Sequence, residues 1–215
     1  EDSEGWRGWL AAGLCALPSV IGFRVPTLSD RYFRGPSGRG TVTGNPELDP
    51  ETSLQFDSAF RWARSGRSIA VYGYRYDIKN LIERFQIGRD FFFRNRGEAR
   101  ITGAEIEAQL PLGPESRGLG LEVAASWSRG ETPEDGEPID DIGTPNLGVT
   151  LRWADARAWA YLRAVAYTED DRPGPSEQVV PSYERYDLGL GWRFNEKFEV
   201  RLLGRNLTDE QYLES

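Results

Sequence analysis

The chain has 215 residues and a net charge of −8, with 34 Asp and Glu against 26 Lys and Arg. That balance argues against a nucleic-acid partner, which needs a basic footprint, while the lack of any His excludes His-based triads, His-ligated zinc and a proximal-His haem within these residues. Cys15 is the one cysteine, so no internal disulfide can form, and although mean hydropathy is −0.56, that value is blind to a membrane β-barrel, whose strands hide apolar residues by alternation.

Residues 1–21 hold Cys15 and the apolar run Trp9–Leu17 without regular alternation. They are expected to form an atypical segment, either a strand of unusual sequence or a stretch out of frame. A signal-peptide core is disfavoured because no basic leader precedes it. In "GFRVPTLSDRYF" (Gly22–Phe33), Pro26 and Thr27 are expected to end a strand and open a loop, since Pro cannot donate to a ladder. In "GNPELDPETS" (Gly44–Ser53), the Asn-Pro and Asp-Pro pairs favour a turn and an extended entry into the next strand.

Eight period-two segments follow, each about as long as a tilted membrane-crossing strand. The first sets Leu54, Phe56, Phe60 and Trp62 against Gln55, Asp57 and Arg61. In the second, Ala70, Tyr72, Tyr74, Tyr76 and Ile78 alternate with a mixed face of Ile69, Val71, Gly73, Arg75 and Asp77. The third and fourth set Ile106 and Leu110 against Glu105 and Glu107, then Leu121, Val123 and Trp127 against Glu122 and Ser126. The fifth sets Leu147, Val149, Leu151 and Trp153 against Thr150 and Arg152. The sixth is weaker, because Trp159, Tyr161, Val165 and Tyr167 share a face with Arg163. The last two set Leu188, Leu190 and Trp192 against Arg193, and Phe198, Val200 and Leu202 against Glu199 and Arg201.

The connections alternate as well. Arg64–Arg67, Pro111–Arg117, Ala154–Ala156 and Asn195–Lys197 are short. Lys79–Arg100, Gly130–Pro145 and Thr168–Ser182 are long and rich in Gly, Pro and acidic residues. Short turns on one side and long loops on the other match an outer-membrane barrel. Trp62, Trp127, Trp153, Tyr167 and Trp192 near strand ends suit an aromatic girdle. The expected class is therefore all-β: an antiparallel transmembrane β-barrel portion of about nine strands, with short periplasmic turns and long outer loops, and the resemblance below implies that it belongs to a larger plugged barrel. A soluble carbohydrate-binding β-protein would also alternate. It would stay folded in plain buffer, whereas a barrel needs detergent.

Taken in order, "GFRVPTLSDRYF", "GNPELDPETS", "NRGEARITGAEIEAQ" (Asn95–Gln109) and "GRNLTDEQYLES" (Gly204–Ser215) resemble the C-terminal half of the barrel of TonB-dependent outer-membrane receptors. The resemblance implies a 22-stranded plugged barrel in the bacterial outer membrane, in contact with its lipid. It implies residues 22–215 as the C-terminal part of that barrel with the final strand missing. A plug domain absent from these residues would reach the TonB complex. The function implied is energy-coupled uptake of a ferric siderophore or similar scarce nutrient, with no catalytic residues, no cofactor and no resident metal. A passive porin or adhesin-type barrel is the alternative, and it would lack a plug upstream.

Ligand contact is expected from Arg89, Phe91, Phe92, Phe93 and Arg94 in "IGRDFFFRNR", because aromatic faces and guanidinium groups suit an anionic catecholate-type ligand. Glu105 and Glu107 are expected to line a polar lumen rather than to hydrolyse a glycoside. The acidic run around Asp135, Asp140 and Asp141 lacks the spacing of a calcium loop.

Overall fold

A computed structural model describes residues 13–16, 20–38, 40–113 and 118–212. The main sheet contains β1 (Gly13–Ala16), β2 (Val20–Arg24), β5 (Glu51–Arg64), β6 (Arg67–Lys79), β9 (Glu98–Pro111), β10 (Leu119–Glu131), β11 (Asn146–Ala154), β12 (Ala158–Tyr167), β13 (Tyr183–Asn195) and β14 (Phe198–Gly204). All neighbours are antiparallel and follow chain order from β5 and β6 through β9 to β14. The eight alternating segments are thus the eight strands from β5 to β14 in this sheet. At one end of it lie α1 (Leu28–Tyr32), β3 (Arg34–Ser37), β4 (Gly40–Thr43), β7 (Ile82–Ile87) and β8 (Asp90–Asn95). The four short strands there form a second sheet, ordered β3-β4-β8-β7, that crowns the first.

β1 and β2 lie end to end against β5. Ala16 pairs with Ser58 and Val20 with Gln55, so four steps along one chain answer three along the other. That offset exchanges the faces between β1 and β2. Residues 1–12 and 17–19, and with them most of the expected atypical segment, lie outside the described residues.

Register assigns the two faces. Residues directly opposite in an antiparallel pair share a face, so Phe60, Val71 and Ile106 lie together, as do Leu151, Leu162 and Leu188. On this outward face Phe60, Val71, Ile106, Leu151, Leu162, Trp192 and Leu202 are all exposed. Large apolar side chains standing open on one side of a sheet, strand after strand, are the face of a protein whose solvent on that side is lipid. No described helix is long and apolar enough to cross a membrane.

The opposite, inward face carries Asp57, Arg61, Glu105, Glu107, Glu122, Arg152, Arg163, Asp187, Arg193 and Arg201. Two readings of the alternation are corrected here. Tyr72, Tyr74 and Tyr76 pair with Ala59, Asp57 and Gln55, so the tyrosine face of β6 is the inward one. Arg75 pairs with Phe56 and Thr102 and therefore lies outward. Of the expected girdle, Trp62, Trp127, Trp153 and Trp192 are outward, while Tyr167 faces inward and stacks on Tyr183 at 4.5 Å between ring centroids.

Glycine explains how rings fit that inward wall. Gly103, Gly189 and Gly191 pair with Tyr74, Tyr161 and Trp159, and each ring lies where a Cβ would otherwise stand. Ring and glycine together make one flat tile, which recovers packing a bare glycine would forfeit. Lys79–Arg100 is not a plain loop: β6 runs to Lys79, β9 starts at Glu98, and β7 and β8 form a hairpin between them.

The faces make a direct test. In the full-length barrel folded into bilayers, Val149→Arg is expected to cost about 2–4 kcal/mol, because Val149 sits mid-strand on the lipid side. Thr150→Arg, one residue on but facing inward, should cost far less. Urea unfolding followed by tryptophan fluorescence reads the difference; equal costs would mean the faces are assigned wrongly.

Candidate ligand-binding site

Two regions on the inner side and the crown converge polar and aromatic groups. The first is on the wall. Tyr161, Arg163, Arg185 and Asp187, with Glu122 and Thr150 from neighbouring strands and Arg205, Asn206 and Tyr212 from beyond β14, surround an open cavity of about 640 Å³. Three guanidinium groups face two carboxylates here, so this patch is basic although the chain is acidic. Tyr212 closes its upper edge. Its hydroxyl accepts from Arg185 Nη1 at 3.3 Å, and its ring stacks on Tyr183 at 4.7 Å, continuing the Tyr167–Tyr183 stack.

Residues of "NLTDEQY" hold that edge. Asn206 has φ of 50° and Asp209 of 53°, a left-handed conformation that Asn and Asp tolerate best after Gly. The Asn206 amide N–H donates to Asp187 at 3.0 Å, and its side chain bonds both backbone groups of Glu210. The motif thus bonds its own backbone where β14 ends and anchors to the wall through Asp187.

The second region is the crown, and the motif residues build it. Thr27 caps α1 through a reciprocal box: Asp30 N donates to Thr27 Oγ1, and Thr27 N to Asp30 Oδ2. Arg24 reaches from the end of β2 to the carboxylates of both Asp30 and Glu51, at 3.4 and 3.3 Å. Glu51 also accepts the buried amide of Ile82 at 2.6 Å. One carboxylate therefore ties together β2, β5 and β7. Gly44 and Asn45 bond back to Phe33 and Asp30, and at Gly44 the chain passes so close to the backbone of Arg31 and Tyr32 that a Cβ would overlap it. Arg31 donates to Leu48 O at 2.6 Å, and Leu48 is buried at 2 % exposure.

The expected ligand residues stand on β8 and its turn, and they do not share one face. Phe92 and Arg94 face the same way as Phe85 and Glu83; Phe91 and Phe93 face the other way with Arg84. Phe91 is buried and lies 5.2 Å beneath the guanidinium of Arg84. Arg94 covers Phe85 at 4.6 Å and pairs with Glu83 at 2.8 Å. Glu83, with its side chain 2 % exposed, also binds Arg96 at 2.6 Å. Arg89 is exposed at the hairpin turn. Phe93 borders an open cavity of about 580 Å³ shared with Arg24, Arg84 and Ile139. Arg84 and Phe85 join the expected residues from the partner strand of the hairpin, where no local alternation marks them. The wall arginines are marked in the sequence only by Arg163, which breaks the alternation of β12 because that face of the strand is the inward one.

The long outer loops are tied to each other. Ser176 donates through its amide and hydroxyl to Asp140 at 2.9 Å, and Asp141 N donates to Glu177. Asp135 accepts from the Thr132 hydroxyl and from Glu137 N. Those bonds, the Thr132 hydroxyl first, hold its carboxyl below the usual value of 3.8. No group of three acidic or Cys side chains placed to hold a metal occurs among the described residues, and the acids of this run are engaged in loop contacts. Glu105 and Glu107 face inward opposite Tyr72 and Ala70.

The family model described as TonB dependent receptor-like, beta-barrel, matches residues 21–207. The chain belongs to the TonB-dependent receptor family. Its barrel is an outer-membrane structure, so the inward face is the lumen wall and the outward face meets lipid. A vitamin B12 transporter, BtuB of Vibrio vulnificus, is 27% identical over 194 residues, which is 89% of this chain and 29% of the transporter. Among solved structures, the copper transporter OprC superposes with a TM-score of 0.77 at 17% identity, covering 91% of this chain and 31% of that one. The siderophore receptor PirA from Pseudomonas aeruginosa gives 0.65 at 21% identity, covering 90% and 33%. The ferric enterobactin receptor PfeA gives 0.69 at 19% identity, covering 89% and 32%. The chain thus spans roughly a third or less of the relatives it matches.

Two outcomes follow from the crown. Glu51→Ala is expected to destabilise the full-length receptor by about 1–3 kcal/mol, because it strands the buried Ile82 N–H. Glu51→Gln keeps an acceptor and should cost less; thermal melting with hydrogen exchange at Ile82 separates the two. For Asp135 the sign is that of a depressed carboxyl: its stabilisation is complete above pH 3.8 and is lost as pH falls through the lowered value. Amide exchange in residues 132–137, corrected for intrinsic rates, should therefore rise below about pH 3.8, and Asp135→Asn should remove that rise.

Proposed function

We propose that this chain forms part of the barrel of a receptor that takes up a ferric siderophore or a similar scarce nutrient, driven by TonB acting on a plug domain carried elsewhere in the receptor. The observation that carries this reading is the lumen wall around Arg163, Arg185 and Arg205, where guanidinium groups and the rings of Tyr161 and Tyr212 surround one open cavity. Such a wall suits an anionic, ring-bearing cargo, which it meets by charge and stacking. The names of the relatives point the same way: siderophore receptors stand among them beside a vitamin B12 and a copper transporter. All are named as receptors or transporters, and the chain is read as having no bond-breaking chemistry.

The β7–β8 hairpin is the first contact in this reading. Arg89 at its tip reaches the ligand, Phe93 and Arg84 border the open cavity on one face of the hairpin, and Phe91, Phe92 and Arg94 hold the hairpin in shape behind them. The sheet edges at β1–β2 and at β14 are open among the described residues. Lipid does not tolerate open edges, so further strands of the same receptor are taken to close them.

The test uses the full-length receptor and three probes: a ferric catecholate, a ferric hydroxamate and cobalamin, with binding followed by tryptophan quenching. The ferric catecholate is expected to bind, and Arg89→Ala to weaken it about tenfold, a loss of about 1.4 kcal/mol. Binding of cobalamin alone would overturn the siderophore assignment, and unchanged affinity in the variant would remove the hairpin from the site.

A further inference from the structure

We infer that the free edge of β7 binds an extended peptide as an added antiparallel strand, with an acidic residue of the peptide set against Arg84. The site lies at the crown and does not depend on the identity of the cargo.

The crown sheet has two outer strands, β3 and β7. The sequence of β3 protects its edge: it is four residues long and carries Pro36, which cannot donate to a further strand. β7, "IERFQI", is six residues long and has no Pro. Its pairing fixes which backbone groups are free. The hairpin turns through Gly88 and Arg89, with Gly88 at φ of 64°, so Ile87 and Asp90 close the loop as a hydrogen-bonded pair. At the other end, Arg96 N donates to Leu81 O at 2.7 Å. Bonded and non-bonded pairs alternate along an antiparallel ladder. Leu81, Glu83, Phe85 and Ile87 therefore direct their backbone groups toward β8, and Ile82, Arg84 and Gln86 direct theirs away. The amide of Ile82 agrees, since it donates to Glu51 Oε1 and not to β8. Glu51 thus caps the edge at Ile82. Beyond it Arg84 and Gln86 are exposed, and no strand among the described residues pairs with that side of β7. Two N–H groups and two carbonyls stand there two residues apart, which is the spacing one more strand takes up.

Side chains select the occupant. Directly opposite residues share a face, so the peptide residue set against Arg84 lies on the cavity side of the hairpin. That cavity, of about 580 Å³, is bordered by Ile82, Arg84 and Phe93 of the crown, Ile78 and Ile101 of the main sheet and Ile139 of the loop after β10. Arg94 and Arg96 are both bound to Glu83. Arg84 instead lies over the ring of Phe91 and forms no ion pair among the described residues. Its fork is open to a carboxylate. The matching partner is an extended peptide with one acid opposite Arg84 and apolar side chains two residues to either side, entering the cavity.

The probe is a short fluorescent peptide of alternating Thr and Val with Asp in place of the central Val, added to the full-length receptor in detergent without ferric cargo. Anisotropy is expected to show binding. N-methylation of the Asp and of the residues two away removes the donors that face β7 and should weaken binding at least tenfold, whereas N-methylation of the residues between them should not. Arg84→Gln should weaken the Asp peptide about tenfold and leave its Asn counterpart unchanged. Gln86→Pro removes an edge donor at a position where an outer strand tolerates Pro, and should weaken binding of the unmethylated peptide. If that variant does not fold, the two methylated peptides on wild type carry the decision. Absence of binding by the unmethylated peptide, or equal binding of the two methylated forms, overturns the proposal. So does protection of the Arg84 and Gln86 amides from hydrogen exchange in the receptor alone, which would mean that another loop of the receptor already occupies the edge. None of these outcomes bears on uptake of the cargo.

Discussion

A backbone in hydrocarbon has no water to bond, so every peptide group within the membrane must find its partner in the next strand. The rest of this molecule depends on that constraint. It forces long ladders, and long ladders force a strict two-residue alternation between two different solvents. The antiparallel register from β5 to β14 keeps Phe60, Val71 and Ile106 on one side and Asp57, Tyr74 and Glu105 on the other without one exchange of face. Among the described residues the register of the main sheet shifts beside a turn, between Arg193 and Asn195, and differs between β1 and β2 at one edge.

At the crown the ladder ends, and side chains take over the work of pairing. The Glu51 carboxylate accepts a backbone N–H of β7 and the guanidinium of Arg24, which also holds Asp30 of the α1 capping box. Asn95 bridges both the amide and the carbonyl of Asp49 and also donates to Asn80. Arg96 joins the buried Glu83 to Pro138 of the next loop. These are charge-assisted or bidentate contacts in partly buried surroundings, where a hydrogen bond counts for more than at an open surface. The stretches around Arg24, Asn45, Glu51 and Asn95, far apart along the chain, meet in this one clasp.

Most of the sheet was legible from the residues because lipid makes the alternation unusually strict. The eight main strands and the short turns between them could be read from Leu54 to Leu202. Where the reading failed, size or aromaticity was taken for apolarity. Tyr72, Tyr74 and Tyr76 form a regular series, yet their hydroxyls and the Tyr76–Asp57 hydrogen bond belong to a wet wall. Arg75 lies outward although it is charged: at 13 residues β6 is longer than the roughly 9–11 that cross the hydrocarbon, and charge is permitted on either face beyond it. The β7–β8 hairpin was hidden inside a loop because Phe91, Phe92 and Phe93 are consecutive, and three apolar residues in a row show no period. The wall cavity was illegible for a different reason. Glu122, Arg163 and Tyr212 are brought together by register across four strands, which no local pattern encodes.

The outer loops complete the argument about function. A loop free to move on its own would present its charges in many arrangements. Here residues 132–145 and 168–182 are joined through Asp140 to Ser176, Glu177 to Asp141 and Arg172 to Gly136. The first of these loops is also pinned through Pro138 to Arg96, and so to the hairpin. A change in position of any one of the three elements is therefore felt by the other two. Loops ordered in advance lower the cost of binding whatever they contact, since ordering already done is not charged against association. The wall is packed differently: at Tyr74, Trp159 and Tyr161 each ring fills the space that a Cβ would take at the paired glycine, so the lumen face is closed by side chains of neighbouring strands rather than by loop contacts.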